Sequence, residues 1–106
     1  MKIVTKEEWI AALRSGEYRQ GQRALHNRQD NSFCCLGVLC EISEMPKNAD
    51  ENFTSYVFPD NAQSFLLPSA GLYNYLGLPY YFNSVANMND NDKSFNEIAD
   101  WLERQP

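Results

Sequence analysis

The sequence predicts an α+β fold, with helices packed on a small antiparallel sheet in a single domain spanning residues 1–106. Two capping boxes, Thr5-Lys6-Glu7-Glu8 and Ser94-Phe95-Asn96-Glu97, each precede apolar residues at helical spacing. Between them lie short β-prone runs separated by clusters of Gly, Pro, Asn and Asp. A hydrophobic content of 43% with 13% aromatics supplies one core and argues against a disordered chain.

The first helix runs from about Lys6 to Ser15. Trp9, Ile10 and Leu13 form its apolar side, and Gly16 stops it. Tyr18 to Leu25 alternates loosely and contains Gly21, which predicts a strand with a bulge. After a polar turn over Asn27 to Asn31, Ser32 to Cys35 returns as the second arm of a hairpin. Leu36 to Ile42 is a continuous apolar run that a strand or a buried helix could equally claim, and Leu39, Cys40, Ile42 and the following Ser43-Glu44 favour a short buried helix ending before Pro46. Met45 to Asn52 has the composition of a loop, and Phe53 to Phe58 is β-prone up to Pro59. A short helix capped by Ser69 and ended by Gly77 follows, then an extended apolar piece from Leu78 to Phe82. Asn89 to Lys93 is expected as a polar turn. The last helix, begun by Ser94, places Phe95, Ile98, Ala99, Trp101 and Leu102 on one side and runs to about Arg104.

Charge is distributed unevenly. The net charge is −5, yet the fifteen residues from Arg14 to Arg28 hold four arginines and His26 against one acid, Glu17. From Gln29 onward there are three Lys/Arg and eleven Asp/Glu. An acidic chain that gathers its guanidinium groups in one glycine-punctuated segment is suited to holding a small anion locally. A protein that coats long nucleic acid is more often basic overall, so no long nucleic acid is expected as partner. No stretch approaches a membrane span, and no long apolar run follows the N-terminal residues, so neither membrane nor secretory leader is expected. The expected location is the cytoplasm.

Cys34, Cys35 and Cys40 are odd in number and two are adjacent, a poor basis for a disulfide framework or for the spaced pairs that bind structural zinc. They read as reduced, buried packing residues. The run Asn89-Asp90-Asn91-Asp92 fails as a calcium loop. Counted from Asp90, the position that requires a bidentate Glu is Trp101. No cofactor and no metal are expected.

The expected ligand site is built from Arg14, Tyr18, Arg19, Gln20 and Arg23, with Asn89 and Asp90 oriented toward it from their turn. Arginines neutralise phosphate, the tyrosine ring offers a face for a base, and the glutamine amide donates and accepts at a base edge. Gly16 and Gly21 allow a ligand close to the backbone. No phosphate-binding glycine loop or dinucleotide fingerprint is present.

Three segments resemble a widespread group of small bacteriophage-encoded proteins. They are Ala12 to Gly21, Phe33 to Glu41, and Asn89-Asp90 together with Ser94 to Glu103. Small phage proteins of this size include sponges that sequester the cyclic-nucleotide messengers of CBASS and Thoeris host defence. The resemblance implies a non-enzymatic binder of a cyclic dinucleotide or cyclic ADP-ribose type signal, acting in the host cytosol. An acidic inhibitor that docks on a host enzyme is the alternative, with the negative charge after Gln29 as its active feature. A third reading is a small enzyme with Cys34 or Cys35 as nucleophile and His26 as base. A homo-oligomer is expected, because Tyr73, Tyr75, Tyr80, Tyr81 and Phe82 crowd ten residues and a dinucleotide-sized cleft forms more easily between chains.

Overall fold

The computed structural model describes residues 1–78 and 82–106. Both capping boxes form as the sequence predicts. Thr5 Oγ1 accepts from the Glu8 backbone N–H at 3.1 Å and Glu8 Oε1 accepts from that of Thr5 at 3.2 Å, starting α1 (Lys6–Arg14). Ser94 and Glu97 do the same at 3.1 and 3.0 Å for α5 (Phe95–Glu103). α1 buries Trp9, Ile10 and Leu13, and α5 buries Phe95, Ile98, Ala99 and Leu102. These two faces pack on each other, and α1 also packs on α2 (Cys35–Ile42), whose residues from Cys35 to Cys40 are all buried. The indole N–H of Trp9 donates to the Cys35 carbonyl at 3.0 Å, which ties α1 to the first turn of α2.

The arginine-rich segment forms less regular structure than its alternation predicts. It contributes β1 (Arg19–Gln20) and β2 (His26–Asn27), both flanking β3 (Ser32–Phe33) in a three-stranded sheet. The antiparallel arm against β3 is β2, with His26 opposite Phe33, and not the expected Tyr18–Leu25 arm, whose β1 runs parallel to β3. Between β1 and β2 the chain leaves the sheet, with Arg23 at φ +68°. Of the single long strand expected from Tyr18 to Leu25, only Arg19–Gln20 forms, and the next strand begins one residue beyond it at His26. The second sheet is antiparallel and comprises β4 (Lys47–Ala49), β5 (Thr54–Val57) and β6 (Gln63–Ser64) in that order. β4 lies within the stretch expected as loop. Its residues are all exposed, so it carries no apolar alternation by which it could be recognised.

α3 (Ala70–Leu76) begins at Ser69 and ends at Gly77 in the left-handed region, as the sequence predicts. The next element corrects the expectation. Phe82 opens a helix, α4 (Phe82–Asp90), instead of ending an extended piece, and Asn89 and Asp90 form its last turn rather than a polar loop. Its buried side is Phe82, Val85 and Asn89. The helical period is present, but an asparagine takes one of the core positions, and Asn83, Ser84, Asn87 and Asp90 are turn-forming types. Of the crowded rings, Phe82 is buried and Tyr73 and Tyr75 pack against the core. Tyr80 and Tyr81 lie outside the described residues.

Candidate functional site

Asn89 organises the region where β1, α2 and α4 meet. It is 1% exposed and every polar atom of its side chain is bonded to protein. Its Nδ2 donates to the Gly21 carbonyl at 2.8 Å. Its Oδ1 accepts from Gln20 Nε2 at 3.0 Å and from the Cys35 backbone N–H at 3.2 Å. The last bond supplies a partner for a first-turn N–H of α2, which Cys34 as N-cap residue does not bond through its side chain. Gln20 is held just as fully. Its Nε2 also donates to the Lys93 carbonyl at 2.7 Å and its Oε1 accepts from the Phe95 N–H at 3.0 Å. Both amides therefore join elements and present no free edge to a ligand.

The arginines separate in space. Arg14 donates to Asp100 Oδ1 at 2.6 Å and to Glu103 Oε2 at 2.9 Å on α5. Arg28 donates through Nη1 to the Asp50 carbonyl and fastens the first sheet to the second. Arg19 is exposed on β1, and Tyr18 sets its ring edge-on to Phe33 at 5.4 Å. Arg23 alone of this group lines a cleft with Asp90.

That cleft has a volume of about 280 Å³ and lies between α4 and the loop after β6. Its apolar surface comes from Leu36, Leu66, Leu67 and Ala86. Arg23, Asn83, Asn87 and Asp90 supply the polar groups, and the Arg23 backbone N–H donates to Asp90 Oδ1 at 3.3 Å. Asn83, Asn87 and Asp90 are spaced to share one face of α4. The structure thus adds Leu66, Leu67, Asn83 and Asn87 to the residues singled out in the sequence. The only sequence signal for them is the four-residue spacing of the asparagines and an adjacent leucine pair with no alternation before Pro68.

Cys34 also borders the cleft, but burial pushes its thiol up to about 11. A protonated thiol is a poor nucleophile at neutral pH. Both ring nitrogens of His26 have partners other than Cys34. The ring stacks on Phe33, with Nδ1 2.8 Å from Thr54 Oγ1 and Nε2 2.8 Å from Asn31 Oδ1. Among the described residues no group of three His, Cys, Asp or Glu is placed to hold a metal ion, and no helix is long and apolar enough to cross a membrane.

A family model matches residues 1–70. The chain belongs to that family, described as Domain of unknown function (DUF8296). No curated protein and no solved structure matches the chain significantly. The DUF8296 match takes in Arg23, Cys34, Leu36, Leu66 and Leu67 on one side of the cleft, whereas α4 lies beyond it.

The buried acids of this core set an alkaline limit to stability. Burial raises all three thiols, and burial together with Glu41 raises the Tyr56 hydroxyl. Their protons stay on in the folded protein at pH values where the unfolded chain releases them, so stability falls as pH rises. For Cys34 the loss begins near the ordinary thiol value of 9.0 and is complete by about 11. Melting temperature is expected to drop steeply across that window, and iodoacetamide should leave Cys34 largely unmodified at neutral pH. Rapid alkylation of the folded protein at neutral pH would restore the nucleophile reading.

Proposed function

We propose that this protein is a non-enzymatic binder of a small anionic nucleotide, held in the cleft at Arg23. The observation that carries the reading is one cleft lined by Arg23, Asp90, two exposed asparagines and an apolar wall. Phosphate, sugar and base each need one of these kinds of group. The raised Cys34 thiol and the engaged ring nitrogens of His26 favour binding over cysteine chemistry. The resemblance to small phage proteins suggests the biological role, sequestration of a host immune signal in the cytosol. A ligand with two bases would bridge clefts of two chains, which is the form the homo-oligomer takes in this reading.

Arg14, Gln20 and Asn89 are not part of the proposed contact set, because protein groups already occupy them. Calorimetric titration with a panel of linear and cyclic nucleotides tests the assignment. Arg23→Ala is expected to weaken binding by about 1.5–3 kcal/mol, the worth of a hydrogen bond to a charged group. Arg14→Ala should bind as the natural protein does. The reverse pattern would move the site to the end of α1, and no heat with any nucleotide would remove the reading.

A further inference from the structure

We infer that the cleft accepts a single nucleoside monophosphate unit: the base against Leu66 and Leu67, its edge on Asn83 and Asn87, the sugar hydroxyls on Asp90, and one phosphate on Arg23. This rests on the nucleotide-binding reading and narrows it.

Charge decides how many phosphates fit. Among the described residues lining the cleft, Arg23 is the only cation and Asp90 the only anion. A guanidinium pairs one phosphate through two parallel N–H bonds. A second phosphate would face the Asp90 carboxylate, since Arg14 is held by Asp100 and Glu103 and Arg28 by the Asp50 carbonyl. A carboxylate accepts sugar hydroxyls well, so beside one phosphate Asp90 is complementary rather than repulsive.

Size and shape agree. About 280 Å³ lies at the small end for ligand clefts and suits one nucleotide better than two. Leu66 and Leu67 remain 50% and 49% exposed, large apolar side chains that a flat ring would cover. Their loop is fixed at its root. Ser64 Oγ accepts from both leucine N–H groups at 3.1 and 3.3 Å, and the Leu25 N–H donates to the Phe65 carbonyl at 2.8 Å. Opposite them, each asparagine amide offers a donor beside an acceptor, which matches a base edge that presents the same pair.

The test is calorimetric titration of the full chain with 5′-AMP, adenosine, inorganic phosphate, 5′-ADP and cyclic di-adenylate, with light scattering alongside. AMP is expected to bind one per chain, with adenosine and phosphate each at least about tenfold weaker and ADP no tighter than AMP. Cyclic di-adenylate should either fail to bind or bring two chains together. Asn87→Leu should weaken AMP about tenfold without moving the melting temperature, because Asn87 is exposed. Asp90→Asn keeps the oxygen that accepts from Arg23, removes the repulsion and should let ADP bind more tightly than AMP. One cyclic dinucleotide per monomeric chain, or AMP affinity unchanged in Asn87→Leu, overturns the inference while leaving nucleotide binding in place. Silence toward every nucleotide removes the broader reading itself.

Discussion

Gly37→Ala is expected to destroy most of the protein's folding stability. A Cβ at this position would lie 1.7 Å from the Leu25 carbonyl oxygen and 2.6 Å from its carbon. Both atoms are backbone, so no side-chain rotation relieves the clash. α2 would have to retreat from Leu25, which is fully buried and hydrogen-bonded through its N–H to Phe65. That movement would open the core on both sides, because α2 is buried from Cys35 to Cys40. Overpacking against rigid backbone belongs to the severe class of substitutions, upward of about 4 kcal/mol. A small domain has about 5–15 kcal/mol in total. Urea titration followed by circular dichroism measures the loss. Gly16→Ala is the control. Its Cβ meets nothing within 4 Å and only the positive φ of 77° is strained, so it should cost about 1 kcal/mol. A Gly37→Ala variant as stable as Gly16→Ala would mean that α2 does not rest on Leu25.

The elements legible in the sequence are those fixed by local chemistry. Thr5 with Glu8, Ser94 with Glu97, and Ser69 with Gly77 each mark a helix end through groups a few residues apart, and each is where the sequence places it. The run of α2 fits strand or buried helix by its apolar length, and the residues up to Ser43-Glu44 tip it toward the helix that forms. α4 is hidden because its core side includes Asn89, a polar residue at an apolar position, and the sequence just before Phe82 holds no Ser, Thr, Asp or Asn to signal a helix start. The expected site suffers from the same limit. Arg14 and Gln20 have the right chemistry for a ligand, but their partners lie 69 to 89 residues away in sequence. A cluster of four arginines in the chain thus becomes an ion pair on α5 (Arg14), an exposed strand residue (Arg19), the lining of a cleft (Arg23) and a tether between sheets (Arg28). Proximity in sequence measured composition; only the fold assigns each group its partner.

Asn89→Leu is expected to cost about 3–5 kcal/mol, since it leaves the Gly21 carbonyl, the Cys35 N–H and one Gln20 N–H bond without a partner in a buried setting. Leucine has the same number and branching of side-chain heavy atoms and is no smaller, so no cavity opens and the loss reports chiefly the missing hydrogen bonds. A second variant, Asn89→Asp, separates this from simple intolerance of change. A protonated aspartic acid can donate to the Gly21 carbonyl and accept from Cys35 and Gln20, reproducing the asparagine pattern, whereas the carboxylate keeps the acceptors and loses the donor. Burial and the facing Gly21 oxygen both favour the protonated form, so the folded pKa lies above the unfolded value of about 4. The variant's stability should therefore be greatest below about pH 4 and fall as pH rises through the folded pKa. The difference in melting temperature between Asn89→Asp and the natural protein should widen over that range. A constant difference, or a variant that gains stability with pH, would show that the Asn89 amide does not hold Gly21. Affinity adds a second reading. Gly21 leads directly to Arg23, so loosening it displaces the guanidinium from the cleft, and Asn89→Leu should lose nucleotide affinity together with stability. Arg23→Ala should lose affinity alone. The pair of variants thus distinguishes the residue that shapes the cleft from the residue that touches its ligand.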